Sequence, residues 1–236
     1  MSRHYSAILF ILALGFGFST TASAQVYPQG DISFMVGFPQ GAFNDHVDNL
    51  GFGLNLFAGL GIGRSPVVVG ADFGFLVYGF ERRREPFSTT IPDVTVDVET
   101  SNNIFLGHLL LRIQPPRGAV QPYLDGLFGF KYFATETSIS DEDFFGDDPI
   151  VSSTNFEDAA LSYGVGGGVN VEVYRGRGGK KLSALNINAG VRYLFGSEAE
   201  YLKEGSIERR DGQVFFTTER SETNMVLTQL GVTFKF

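Results

Sequence analysis

Leu161 to Tyr174 reads LSYGVGGGVNVEVY, and apolar side chains fall at every second position: Tyr163, Val165, Val169, Val171 and Val173. Between them stand Ser162, Gly164, Gly166, Gly168, Asn170 and Glu172. A period of two belongs to a strand with two unlike faces. A helix is excluded by the glycine content, since each glycine inside a helix costs about 1 kcal/mol relative to alanine.

The same alternation recurs along the chain. Asp31 to Phe38 sets Ile32, Phe34, Val36 and Phe38 against Ser33, Met35 and Gly37. Gly51 to Ile62 sets Phe52, Leu54, Leu56, Ala58 and Leu60 against four glycines, Asn55 and Phe57. Val67 to Phe80 opposes Val69, Ala71, Phe73, Phe75 and Val77 to Gly70, Asp72, Gly74 and Tyr78. In Asn103 to Ile113, Phe105, Leu109, Leu111 and Ile113 oppose His108 and Arg112, while Ile104, Leu106 and Leu110 blur the pattern. Tyr123 to Ala134, Ser183 to Phe195 and Met225 to Phe236 complete eight runs.

These runs describe a closed, eight-stranded, antiparallel up-and-down barrel in a membrane. A soluble barrel would also alternate, but its water-facing side has no use for repeated glycine, which weakens strands. A narrow interior does, because small residues make room there for Tyr78, Tyr174 or Arg192. The apolar faces run for about 10 residues, the length a tilted strand needs to cross the hydrocarbon layer. The connections alternate too. Short turns rich in Gly, Pro and Arg lie at Gly63 to Pro66, Gln114 to Pro122 and Arg175 to Leu182. Long polar segments lie at Glu81 to Asn102, Thr135 to Ala160 and Gly196 to Asn224, with a shorter one at Pro39 to Leu50. Outer-membrane barrels have short periplasmic turns and longer extracellular loops. This assignment puts both termini in the periplasm.

The N-terminus agrees with export. Arg3 and His4 precede the apolar run Ala7 to Phe18, and Ala22-Ser23-Ala24 offers a cleavage site before Gln25, so residues 1 to 24 read as a secretory signal and 25 to 236 as the barrel. Composition fits one all-β domain: Gly is 30 of 236, Phe 24, Tyr 9, with no Cys and no Trp. Disulfides are therefore excluded. A net charge of -8 argues against nucleic acid, whose phosphates require a basic surface.

The C-terminal octet Gln229-Leu230-Gly231-Val232-Thr233-Phe234-Lys235-Phe236 follows the order polar, any, Gly, any, any, aromatic, any, aromatic. With it, and with Gly190-Val191-Arg192-Tyr193, the chain resembles the small outer-membrane β-barrels of the OmpA-transmembrane and OmpX type over residues 25 to 236. The resemblance implies a Gram-negative outer membrane, contact with its lipid and lipopolysaccharide, and engagement of the assembly machinery through Gln229, Gly231, Phe234 and Phe236. It implies a monomer acting structurally or as an adhesion-type surface binder whose loops meet an unknown ligand. The peptidoglycan-binding domain of full-length OmpA-type proteins is not expected after Phe236.

Chemistry-bearing candidates are few. Lipid A-modifying barrels resemble this one in strand number, but no His-x-Ser pair of the deacylase kind occurs after the signal. His46 stands between Asp45 and Asp48 in the first loop, and His108 on the fourth run. No catalytic residue is assigned, and a lipid-modifying enzyme is the alternative reading. Asp141 to Asp148 begins like an EF-hand, yet Phe145 and Ser152 occupy positions that need oxygen ligands, so no metal or cofactor is assigned. A narrow channel is disfavoured, because eight strands leave space only for side chains. On this register Asp72, Asp125 and Glu172 face Arg112, Lys131, Arg192 and Lys235 in the lumen, and Arg112 should pair with Asp125. Val94 to Glu99 and Gln213 to Thr218 read as strand continuations above the membrane, which could form a protruding sheet with an exposed edge.

Overall fold

Alternating apolar and small or polar residues can satisfy their backbone groups in lipid only by pairing strand to strand until no edge is left. The computed structural model, which describes residues 26–88, 91–140, 151–176, 182–203, 205–210 and 213–236, does this. β1 (Val26–Pro39) is followed by a short helix α1 (Ala42–His46), β2 (Gly51–Ile62), β3 (Val67–Ser88), β4 (Ile91–Ile113), β5 (Val120–Ser140), β6 (Val151–Arg175) and β7 (Ala184–Gly196). Four short strands follow, β8 (Glu198–Tyr201), β9 (Ile207–Arg210), β10 (Gln213–Phe216) and β11 (Glu219–Glu222), before β12 (Met225–Lys235). β1 to β7 and β12 form an antiparallel barrel of eight strands, closed where β1 pairs with β12. The signal expected at residues 1–24 and the acidic stretch Asp141 to Asp148 lie outside the described residues.

Each expected lipid face points outward. On β4, Leu109 is 70% exposed while Arg112 is 1% exposed. Phe75, Phe105 and Tyr132 form one outward aromatic row, with centroids 4.9 and 6.2 Å apart, and Tyr174 and Phe236 mark the opposite end of the band. Such rows sit at the two membrane interfaces. Two assignments need correction. Tyr174 is exposed rather than inward, because a register shift between Glu172 and Tyr174 turns its side chain out. Glu172 reaches only the periplasmic mouth, where it accepts two hydrogen bonds from Arg175 at 2.7 and 2.8 Å.

The glycines on the inner face make room, as expected. A Cβ on Gly59 or Gly70 would stand 2.5 or 2.6 Å from the ring of Phe57, and one on Gly166 would stand 2.5 Å from Cγ of Arg192. Tyr123 uses Gly168 and Gly190 in the same way. The residues that blur the pattern of β4 have a physical reason. Ile104, Leu106 and Leu110 point inward together with Met35, Leu76, Leu127, Leu194 and Leu227, forming an apolar layer in the extracellular part of the interior.

Four strands continue past the barrel ring. β2 pairs with β3 only as far as Phe52–Val77, and β7 meets β6 only from Gly196–Ser162. β3 and β4 stay paired up to Ser88–Ile91, β4 and β5 to Asp97–Ser140, and β5 and β6 to Ile139–Val151. Val94 to Glu99 thus continues β4 within the barrel wall. Gln213–Phe216 pairs separately with β9, and Thr217 and Thr218 lie outside any strand. The two segments prolong two different hairpins and do not share a sheet.

Candidate functional site: the barrel interior and its extracellular cap

The periplasmic half of the interior is polar. Arg112 and Asp125 are cross-strand partners on β4 and β5, and Nε and Nη2 of Arg112 donate to the two Asp125 oxygens at 2.7 and 2.8 Å. The pairing expected from sequence is therefore present. The Arg112 guanidinium is flanked by the rings of Tyr123 and Phe57, 3.9 and 4.9 Å from their centroids. Arg192 donates to Asp72 at 2.9 Å and to Asp125 at 3.4 Å, and Asn55 donates to the other Asp72 oxygen at 2.9 Å. Tyr123, Asn188 and Asn170 form a chain of hydrogen bonds that reaches Thr233 and Asp31. Lys235 also points inward here and donates to Gln121, while Lys131 points inward at the extracellular end and donates to the Thr223 carbonyl. Buried charges need such partners, because an unpaired one would cost several kcal/mol (roughly 3–5).

The extracellular end is closed by the first loop, whose sequence is that of a polar connection. α1 turns Phe43 inward until it is fully buried, with its centroid 5.0 Å from Tyr201, 5.9 Å from Phe133 and 6.1 Å from Tyr78. Edge-to-face rings at these separations attract beyond simple burial. One signal was available: Phe43 and Val47 are four residues apart in a polar stretch, the spacing that puts two side chains on one side of a helical turn.

The last loop ties this cap to the wall. The Tyr78 hydroxyl donates to the Leu202 carbonyl at 2.9 Å, and Arg83 Nη1 donates to the Ile207 carbonyl at 3.0 Å. On the opposite edge, Ser197 N–H donates to the Leu161 carbonyl at 2.9 Å and Glu200 N–H to Asp158 at 2.7 Å. The last loop thus touches the free edge of β6 through Ser197 and Glu200 and that of β3 through Leu202 and Ile207.

The two histidines of the barrel have different surroundings. His46 Nδ1 lies 3.2 Å from the Tyr201 hydroxyl, which in turn is 2.7 Å from Ser221 Oγ. Its Nε2 is 3.7 Å from Glu219, whose other oxygen is 2.8 Å from Lys203 Nζ. The Lys203 ammonium holds the Glu219 carboxyl below the ordinary carboxylate range, while burial pushes the Tyr201 phenol up. The tyrosine stands between His46 and Ser221, so no serine is poised on that imidazole. His108 Nε2 does lie 2.9 Å from Ser162 Oγ, a nucleophile–base spacing. However, both residues are buried, and His108 Nδ1 has no hydrogen-bond partner among the described residues, hence no acid to orient it. Among the described residues no group of three His, Cys, Asp or Glu side chains is arranged to hold a metal.

The terminal octet sits at the closing seam. Gln229 Nε2 lies 3.2 Å from the Tyr123 hydroxyl, and Phe234 and Phe236 lie on the outer face. Gly231 pairs with Ser33 across the seam, where an added Cβ would meet the Ile32 carbonyl and stand 2.6 Å from Ser33 Cα.

The fold can be compared with solved structures. Neisserial surface protein A is 16% identical, with 89% of this chain and 97% of that one covered and a TM-score of 0.41. Ail of Yersinia pestis, solved with the heparin analogue sucrose octasulfate, is 15% identical over 89% and 97% at a TM-score of 0.34. A major outer membrane protein of Thermus thermophilus is 13% identical over 88% and 99% at 0.37. No curated protein sequence matches the chain. The outer membrane protein beta-barrel domain family, in contrast, matches residues 10–236, nearly the whole sequence. Together with the closed ring of outward apolar faces, this match shows that the chain belongs to the outer membrane protein beta-barrel domain family and is a protein of the cell outer membrane.

Proposed function

We propose that this barrel is a non-catalytic, plugged monomer that works through its extracellular surface as an adhesion-type binder. One observation carries the reading: the interior is closed by Phe43 and the apolar layer beneath it, while β3 to β6 run on beyond the barrel ring and the short strands β8 to β11 stand there beside them. Conduction is disfavoured by an apolar layer stacked on paired charges, and catalysis by the lack of an accessible nucleophile beside either histidine. What remains for function is the platform outside the cell, surrounded by lipopolysaccharide. Delivery there uses the terminal octet, with Gln229, Gly231, Phe234 and Phe236 engaging the assembly machinery.

The test is a comparison of cells carrying the intact chain with cells in which residues 84–97 and 207–216 are replaced by short turns. Loss of attachment to host-cell or matrix surfaces, with the barrel still heat-modifiable, is the expected result. Unchanged attachment would overturn the reading.

A further inference from the structure

The chain carries a net charge of -8, yet its periplasmic end is basic. The three short connections spanning 63–66, 114–119 and 175–183 contain Arg64, Arg117, Arg175, Arg177, Lys180 and Lys181 and no Asp or Glu. The longest acidic contrast is the extracellular segment 135–160, which has no Lys or Arg.

At this basic end the barrel opens into a cavity of about 540 Å³, lined by Tyr27, Arg64, Arg117, Arg175, Lys235 and Phe236 among others. Its only lining carboxylate among the described side chains, Glu172, is engaged by Arg175. Lys235 is turned inward to Gln121. Arg64 and Arg117 are exposed and have no hydrogen bond or ion pair among the described residues. The Tyr27 hydroxyl is shielded from solvent and has no hydrogen-bond partner among the described residues. Two uncommitted guanidinium groups therefore stand at one concavity with positive charge in excess, and Tyr27 forms part of its wall. Guanidinium forks match the oxygens of a phosphate, and a concave site focuses the field of such charges.

The cavity also borders lipid. Val26 and Phe236, which line it, are each about half exposed on the outer face, beside the exposed Ile62. A soluble anion would gain nothing from that apolar rim. A lipid would, since its acyl chains could lie along Val26, Ile62 and Phe236 while its headgroup entered the mouth.

We infer that the periplasmic mouth is a binding site for the phosphate of an anionic phospholipid in the inner leaflet, held by Arg64 and Arg117. This site is independent of whatever the outer loops bind. The experiment uses the intact purified barrel in non-ionic detergent, titrated with short-chain phosphatidylglycerol, short-chain phosphatidylcholine and inorganic phosphate, with binding read by calorimetry. Phosphatidylglycerol should bind on the order of tenfold tighter than phosphatidylcholine and lose that advantage in the double variant Arg64→Gln, Arg117→Gln. Equal binding of the two lipids, or a double variant that binds as the parent does, would overturn the site. Inorganic phosphate binding as tightly as phosphatidylglycerol would overturn the lipid as its occupant. Gel mobility with and without heating checks that the variant folds. Should it fail to fold, the parent decides alone: phosphatidylglycerol binding must weaken as salt rises, and insensitivity to salt would overturn the proposal.

Discussion

Arg112 and Asp125 face each other across the β4–β5 ladder and share two parallel hydrogen bonds while 1% and 4% exposed. Replacing Asp125 by Asn leaves the Arg112 charge without its anion and removes the second contact of Arg192. The expected loss is about 3–5 kcal/mol, read from urea titrations of the barrel refolded in detergent. The double replacement Arg112→Met, Asp125→Leu should recover most of that loss, because neither charge is then left alone.

The seam supplies a second expectation. Gly231→Ala puts a methyl group against Ile32 and Ser33 of β1, so closure should weaken by about 1–3 kcal/mol both in refolding and in cells. Deleting Phe236 removes an exposed side chain and should lower the heat-modifiable form in cells while leaving detergent refolding nearly intact. A Phe236 deletion that impairs both equally would argue against an assembly signal.

Phe43 is the keystone of the cap. Its replacement by alanine removes three ring contacts and should cost roughly 3–5 kcal/mol, the usual range for a buried phenylalanine. Limited proteolysis should then cut faster within residues 40–50 than it does in the parent. Planar-bilayer recordings of the same variant should still lack porin-size steps, since Leu76, Leu106 and Leu110 remain below.

Acid should loosen the outer clamp. Glu219 titrates below its ordinary value of 4.5 because Lys203 donates to its carboxylate. A depressed carboxyl contributes stability that is complete above 4.5 and is lost as pH falls through the lower, folded value. Hydrogen exchange of the amides in 198–222, corrected for intrinsic rates, should therefore quicken below pH 4.5 relative to neutral pH. Glu219→Gln should show the faster exchange already at neutral pH.

How far these features were legible depends on their physical origin. The faces of all eight strands were readable, because lipid outside and a crowded interior impose opposite demands on neighbouring residues. Even Arg112–Asp125 could be read, since a short turn places its flanking positions opposite one another. The apolar inner layer was harder: Ile104, Leu106 and Leu110 look like lipid-facing residues when both sides of a strand are apolar. Tyr174 was misplaced by one irregular pairing, which reverses every side chain beyond it. The cap of Phe43, Phe133, Tyr78 and Tyr201 joins four distant segments, and no local period records such a meeting.

The seam between β1 and β12, where Phe236 N–H donates to the Pro28 carbonyl at 3.0 Å, makes the order of strands cyclic. A circular permutant with Phe236 linked to Val26 and new ends opened in the Gln114–Ala119 turn would keep every strand beside its present neighbours. Its terminal octet would then lie mid-chain. Such a rearranged polypeptide separates two kinds of information that the natural order superimposes: which strands touch, and which strand emerges last during export.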